Sequence, residues 1–166
     1  MEAQISDPRT DADGLDDLAP LWRELHRHHR EVSGYGPLVE DLDASWASRR
    51  RWYRALLAQG ASYLTATDPD GGLIGYAMVA LNHGPDDTFE VMGGVAEVVS
   101  LAVTQDRRSA GVGRALLAAA ERIARDHGFD TVKIAVMSGN TRAEEFYESN
   151  GYRAAEQVLY RRLDGG

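Results

Sequence analysis

The residues best equipped for chemistry in this chain stand together in Arg108-Ser109-Ala110-Gly111-Val112-Gly113-Arg114. Before them, Val98 to Val103 is an apolar run broken only by Ser100, with the length and β-branched character of a buried strand. After them, Leu116, Leu117, Ala120, Ile123 and Ala124 recur at helical spacing. A helix N-terminus leaves its first N–H groups unpaired and carries partial positive charge, and glycine lets an anion approach the backbone closely. The stretch therefore predicts a phosphate-bearing ligand. It lacks the Gly-Lys-Ser/Thr end of a P-loop, and Leu116 stands where a dinucleotide fingerprint needs its third glycine.

Glu97 is a second candidate. Counting in twos places Glu97, Val99, Leu101 and Val103 on one side of the strand. A carboxylate with apolar neighbours suits a general base, and an ion pair with an adjacent strand is the plainer alternative. His26, His28 and His29 offer a metal site or a base near a ligand, but no Asp or Glu sits at a recognised ligand spacing. A solvated helix end with cationic side chains is the simpler reading. Arg49, Arg50, Arg51 and Arg54 look like a nucleic-acid patch, yet on a helix they point in different directions, which predicts a solvated face.

The elements that must position these groups follow from the order of patterns. Ala3 to Ile5 reads as a short strand, and Thr10 as the cap of a helix whose apolar face carries Leu15, Leu18, Trp22 and Leu25. Pro20 either kinks that helix or marks its start. Gly34, Gly36 and Pro37 mark Val32 to Asp43 as a loop, and a second helix runs from about Asp43 to Ala58. Ser62 to Thr67 and Leu73 to Leu81 form a hairpin around Asp68-Pro69-Asp70-Gly71-Gly72. Phe89 to Met92 is a possible extension before the strand that starts at Val95. Gly128 ends the long helix, and Thr131 to Val136 is a further strand. Thr141-Arg142-Ala143-Glu144 fits a capping box for a short helix that stops at Asn150-Gly151. Tyr152 to Ala154 and Val158 to Leu163 are expected as two last strands.

Composition bounds the rest. The 166 residues are expected to form one domain, 1–166, with a real core. Cysteine is absent, which excludes disulfides, thiolate metal sites and a cysteine nucleophile. No apolar run approaches the roughly 20 residues that span a bilayer, and Met1 to Thr10 has no signal-peptide character, so a cytoplasmic protein without membrane contact is expected. The net charge of −8 disfavours non-specific nucleic-acid binding. Glu40, Asp41 and Asp43 in one loop and Asp86, Asp87 and Glu90 in another suit a cationic second ligand, or simply loop solubility.

Taken together, the strand-then-R-x-x-G-x-G turn and the element order resemble the GCN5-related N-acetyltransferase (GNAT) family. The second motif, Asn140-x-x-Ala143-x-x-Phe146-Tyr147-x-x-x-Gly151-Tyr152, is similar to that family's later signature, with Tyr in place of its final Phe. The resemblance implies an α/β fold with a mostly antiparallel central sheet, a splayed parallel fourth and fifth strand, and about four helices. It implies acetyl-CoA as cosubstrate, no metal, and a primary amine of a small molecule or peptide as acceptor, which attacks the thioester directly in a ternary complex. Leu101 and Val103 would offer backbone groups to the pantetheine arm, with the Val103 N–H at the thioester carbonyl. Arg108, Ser109, Ala110, Gly111, Val112, Gly113 and Arg114 would hold the pyrophosphate, and Asn140 the pantetheine. Tyr147 would sit near the sulfur as general acid, and Glu97 resembles the glutamate of the family's lysine acetyltransferases that deprotonates the amine through water. Homodimers are common in proteins of this kind. A non-catalytic acyl-CoA sensor is the alternative, and a nucleotide-binding module is disfavoured by the loop spacing.

Overall fold

The computed structural model describes residues 2–163. One sheet carries strands β1 (Gln4–Ile5), β2 (Ser62–Thr67), β3 (Leu73–His83), β4 (Gly94–Val103) and β5 (Thr131–Ile134) in that spatial order. The first four pair antiparallel, and β4 with β5 is parallel. Helices α1 (Ala19–Val32) and α2 (Leu42–Ala58) cover one face, packing Leu21, Trp22, Trp46, Tyr53 and Leu57 against Tyr76, Met78, Ala80 and Ala102. Helices α3 (Val112–Asp126) and α4 (Thr141–Ser149) cover the other, where Leu116, Leu117, Ile123 and Tyr147 meet Leu64, Ala77, Val79 and Val98. Each of the large aliphatic side chains so buried contributes about 1.5–3 kcal/mol relative to exposure. A sheet buried on both faces explains why β3 and β4 are almost continuously apolar.

Strand β4 carries two irregularities. Its register with β3 shifts so that Met78 faces Ser100 and Val79 faces Val98, leaving Val99 as an inserted residue. The alternation of faces is broken there. Glu97, paired with Ala80, and Val99 lie on the α1/α2 side with Ser100 and Ala102, whereas Leu101 and Val103 pack on the α3 side. Counting in twos puts Glu97 and Val99 on the same side as Leu101 and Val103, and the bulge corrects it. The second irregularity is a parting of strands. Pairing with β5 ends at Val98–Ile134, and β4 runs on through Val99–Val103 without a β5 partner.

Most expected elements stand where their patterns put them, with several corrections. Thr10 does not cap a helix: a single 3-10 turn at Leu15–Leu18 precedes α1. Pro20 falls in the first turn of α1, where its missing N–H leaves no bond unmade, so it marks the start rather than a kink. Helix α2 begins one residue early because the Asp41 carboxylate accepts from the N–H groups of Asp43 and Ala44. The cap of α4 is Asn140, whose side chain accepts from the Ala143 N–H at 3.3 Å, and not Thr141. Phe89–Met92 is loop, and β5 stops at Ile134 rather than Val136. The two last strands are absent among the described residues. Arg153 to Leu163 belong to no helix or strand and are exposed.

Candidate active site

The opening between β4 and β5 brings most of the expected site residues to one place. Leu101 and Val103 line it from β4, and the backbone of Val99–Val103 faces it with no strand opposite. Asn140 and Tyr147, both 8 % exposed, come from the α4 side. Asn140 spends its amide oxygen on the cap of α4, and its –NH2 has no hydrogen-bond partner among the described residues. Tyr147 packs edge-on against Phe146 and Tyr152, at centroid distances of 5.1 and 5.7 Å. Burial alone pushes its phenol well above the ordinary tyrosine range, and among the described residues its hydroxyl has no hydrogen-bond partner. A phenol so placed stays protonated.

At the end of β4 the chain passes through a short 3-10 turn, Gln105–Arg107, and reaches the loop Arg108–Gly111. Gly111 is the N-cap of α3 at φ +82°, a conformation that only glycine takes without strain. No side chain caps α3, so the first-turn N–H groups of a 15-residue helix point outward unspent. A Cβ at Gly111 would meet nothing within 4 Å, and one at Gly113 would lie 3.5 Å from Phe146. The space above the turn is therefore open, and the residues fit a bound pyrophosphate. Ser109 also has positive φ, at 74°, and receives a hydrogen bond from Arg142 of α4 at 3.2 Å. Arg108 is half-buried, with Nε 3.4 Å from the Val103 carbonyl and Nη2 4.0 Å from Glu24 of α1. Ala110 and Arg114 are exposed, and Val112 is in the core beneath the loop.

Glu97 is set apart from this group. It lies on the α1/α2 side of β4, partly exposed, with its carboxylate 3.5 Å from Lys133 Nζ on β5. The ion pair with a neighbouring strand, the plainer of the two expectations, is thus formed. The two candidate proton-transfer groups, Glu97 and Tyr147, belong to opposite faces of the sheet, with the β4–β5 opening between them.

Sequence reasoning missed the layer beside Glu97. The buried hydroxyls of Tyr53, Tyr76 and Ser100 form a chain, with Tyr53 Oη 3.0 Å from Tyr76 Oη and donating to Ser100 Oγ at 2.5 Å. Desolvation holds both phenols above their ordinary range. Arg49 is not part of a solvated face: its guanidinium stacks 3.9 Å over Trp22 and 4.7 Å over Trp52. Arg50 pairs with Asp16 at 2.6 Å, while Arg51 and Arg54 are exposed. The three histidines do not converge on a metal, since no group of three or more potential ligands occurs among the described residues. His26 is buried against the Val39 carbonyl at 2.7 Å. Burial, with the nearby cationic groups of His26, His28 and Arg49, lowers His29 to about 4. Arg142 and Glu24 were missed too. Glu24 accepts from the Gln105 N–H at 2.7 Å and so ties α1 to the loop, a contact across 81 residues that no local pattern announces. Arg142 could have been found, because it lies two residues after Asn140 in the second motif.

Comparison with known proteins bears on the fold and the family. The chain is 40% identical over 164 residues to a mycothiol acetyltransferase of Clavibacter sepedonicus, covering 98% of this chain and 47% of that protein. This chain thus spans about half the length of that relative. It is 30% identical over 131 residues to an L-methionine sulfoximine/L-methionine sulfone acetyltransferase of Pseudomonas aeruginosa, covering 75% of this chain and 73% of that one. Among solved structures, a GCN5-related N-acetyltransferase from Ralstonia eutropha superposes with a TM-score of 0.73 at 16% identity, over 97% of each chain. An aminoglycoside N-acetyltransferase, AAC(6')-Iy, solved with CoA, does so with a TM-score of 0.70 at 20% identity, over 98% of this chain and 97% of that one. Residues 20–152 match the profile of the Acetyltransferase (GNAT) family, and with that match over most of its length the chain belongs to this family.

Proposed function

We propose that this chain is an N-acetyltransferase, with acetyl-CoA as donor and the primary amine of a small molecule as acceptor. The observation that carries the reading is the opening where β5 leaves β4, with the uncapped N-terminus of α3 at one end and Asn140 and Tyr147 along its side. An extended ligand with a phosphate end fits such a site: its arm pairs with the bare edge of Val99–Val103 and its phosphates meet the N–H groups of Gly111 to Arg114. Acetyl-CoA, when bound, supplies a thioester whose acyl carbon accepts an amine.

The residues then divide the work. Val103 N–H stabilises the charge that develops on the carbonyl oxygen. Glu97, on the α1/α2 side, takes a proton from the incoming ammonium through water so that a neutral amine attacks. The carbon–nitrogen bond forms as the carbon–sulfur bond breaks, Tyr147 protonates the departing sulfur from the α3 side, and the proton that the acylated nitrogen then sheds passes through solvent to restore the phenol. Arg108 and Arg142 supply cationic charge at the phosphate loop, with Ser109, Ala110 and Val112 shaping its backbone. The named substrates of the relatives and of the aminoglycoside enzyme are small molecules, which supports a small acceptor over a protein lysine. No helix among the described residues is long and apolar enough to cross a membrane, and a single cytoplasmic domain that engages neither membrane nor nucleic acid completes the proposal.

Thiol release from acetyl-CoA, followed across polyamines, aminoglycosides, amino acids and lysine peptides, tests the reading. Release with one amine class supports it and names the acceptor. A silent panel, with acetyl-CoA shown to bind by calorimetry, favours a sensing domain instead.

A further inference from the structure

We propose that the acceptor of this chain carries a carboxylate as well as its amine, and that Arg49 holds the carboxylate. The inference rests on the acetyltransferase reading and gives the acceptor its chemical class. Arg49 stands on α2 one turn before Tyr53, and residues four apart share a helix face. Tyr53 reaches down to the sheet, where its hydroxyl donates to Ser100 Oγ. Ser100 lies two residues beyond Val98, the last residue of β4 that β5 pairs. The Arg49 guanidinium is 5.7 Å from the Tyr53 ring, so one ring separates it from the strand segment where the opening begins. Glu97 is on the same side of the sheet.

The way this cation is held leaves it able to bind. Its guanidinium lies 3.9 Å over the Trp22 ring and 4.7 Å over that of Trp52. Stacking engages the faces of a guanidinium and leaves the N–H donors in its plane, in the fork that matches a carboxylate. No acidic side chain among the described residues pairs with Arg49, whereas Arg50 reaches Asp16 at 2.6 Å and Arg23 reaches Asp43 at 2.8 Å. Of the two indoles, Trp22 is 4 % exposed and Trp52 is 43 % exposed. Arg49 is therefore fixed from beneath and open to a solute from the Trp52 side.

The acidic loops that suit a cationic ligand in the sequence are committed to their own chain. Asp41 accepts from the N–H groups of Asp43 and Ala44, and Asp43 pairs with Arg23. Asp86 accepts from the N–H groups of Thr88 and Phe89. The charge left without a partner on this side is a cation. An acceptor with an ammonium for Glu97 and a carboxylate for Arg49 meets an opposite charge at each end. Polyamines and aminoglycosides carry cations only and would meet Arg49 as a like charge.

Thiol release from acetyl-CoA is compared for α-amino acids and longer ω-amino acids, each against its own carboxamide. The carboxylate is expected to lower KM by about 10–100-fold relative to the amide. Arg49→Met is expected to erase that difference through the KM of the amino acids, with acetyl-CoA affinity within about twofold of the parent. Arg49→Lys, which keeps the charge without the fork, is expected to retain part of it. Calorimetry of the CoA-loaded chain with the same amino acids reads the contact without turnover. Amino-acid binding that needs Arg49 upholds the proposal even where no acetyl group moves, a result that would count against the transferase reading alone. Amides accepted as well as amino acids, a preference for polyamines, or an equal loss with every acceptor in Arg49→Met overturns it. So does a CoA-loaded chain that binds none of the amino acids. Should Arg49→Met not fold, the parent's ratio of amide to amino acid and Arg49→Lys decide.

Discussion

The two sides of β4 are built by different physics. On the α3 side, Leu101, Val103, the Gly111 turn and Asn140 offer mostly backbone groups, held by local geometry in two short stretches of sequence. On the α1/α2 side, the partly exposed Glu97 and Arg49 lie over a buried layer of Ser100, Tyr53, Tyr76 and Trp22, assembled from elements far apart in sequence. The first half is suited to a ligand common to a family, since backbone donors constrain little else in the chain. The second is a largely buried side-chain layer, in which a change is felt as stability.

The contrast breaks most sharply at Tyr147. Tyr147→Phe removes the phenol proton proposed to reach the leaving sulfur, and kcat is expected to fall by about 10²–10⁴. The KM for acetyl-CoA should hold within about twofold, because the ring that packs against Phe146 is retained. Steady-state kinetics with the best acceptor checks both numbers. An unchanged kcat would remove the acid from the donor half.

On the opposite face, Glu97→Gln is expected to lower kcat by about 10² with acetyl-CoA binding untouched, as calorimetry can show. A loss of acetyl-CoA affinity instead would mean that Glu97 serves the donor half, and the division between the sides would fail. Gly111→Val acts the other way. A β-branched residue at φ +82° costs about 1–2 kcal/mol, so the KM for acetyl-CoA is expected to rise by about tenfold with kcat near its parent value.

Legibility in the sequence divides along the same line. The phosphate loop can be read because a strand, two spaced glycines and a helix start are neighbours in sequence, and because Asn140 to Tyr152 adds a second pattern on the expected helix. The position of Glu97 cannot. A single inserted residue at Val99 reverses the alternation, and nothing in Val98-Val99-Ser100 signals it. Arg49 looks solvated in the sequence because helical periodicity says where a side chain points but not which rings from another helix meet it. Val158 to Leu163 has the propensity of a strand, but a strand forms only against an edge, and propensity does not say whose.

Two smaller effects concern stability on the α1/α2 side. Tyr53→Phe leaves the Tyr76 and Ser100 hydroxyls short of a buried partner and is expected to cost about 1–3 kcal/mol in urea unfolding. His29 is held to about 4 in the fold, against 6.5 for a free imidazole, so the unfolded chain takes up its proton first as pH falls. Its contribution is complete above pH 6.5 and is lost between there and pH 4. His29→Gln is expected to spare about 1 kcal/mol of the stability lost between pH 7 and 5, read from melts at the two pH values.

Whether the donor lies between the parted strands is decided by amide hydrogen exchange across β4, with and without acetyl-CoA. New protection is expected at Leu101 and Val103, whose N–H groups face away from β3 into the opening, and at Val112–Arg114 in the uncapped first turn of α3, with Val95–Val98 unchanged because β5 already pairs them. Binding that protects neither segment, or that protects the outer edge of β5 instead, would contradict a donor site in the opening between the strands.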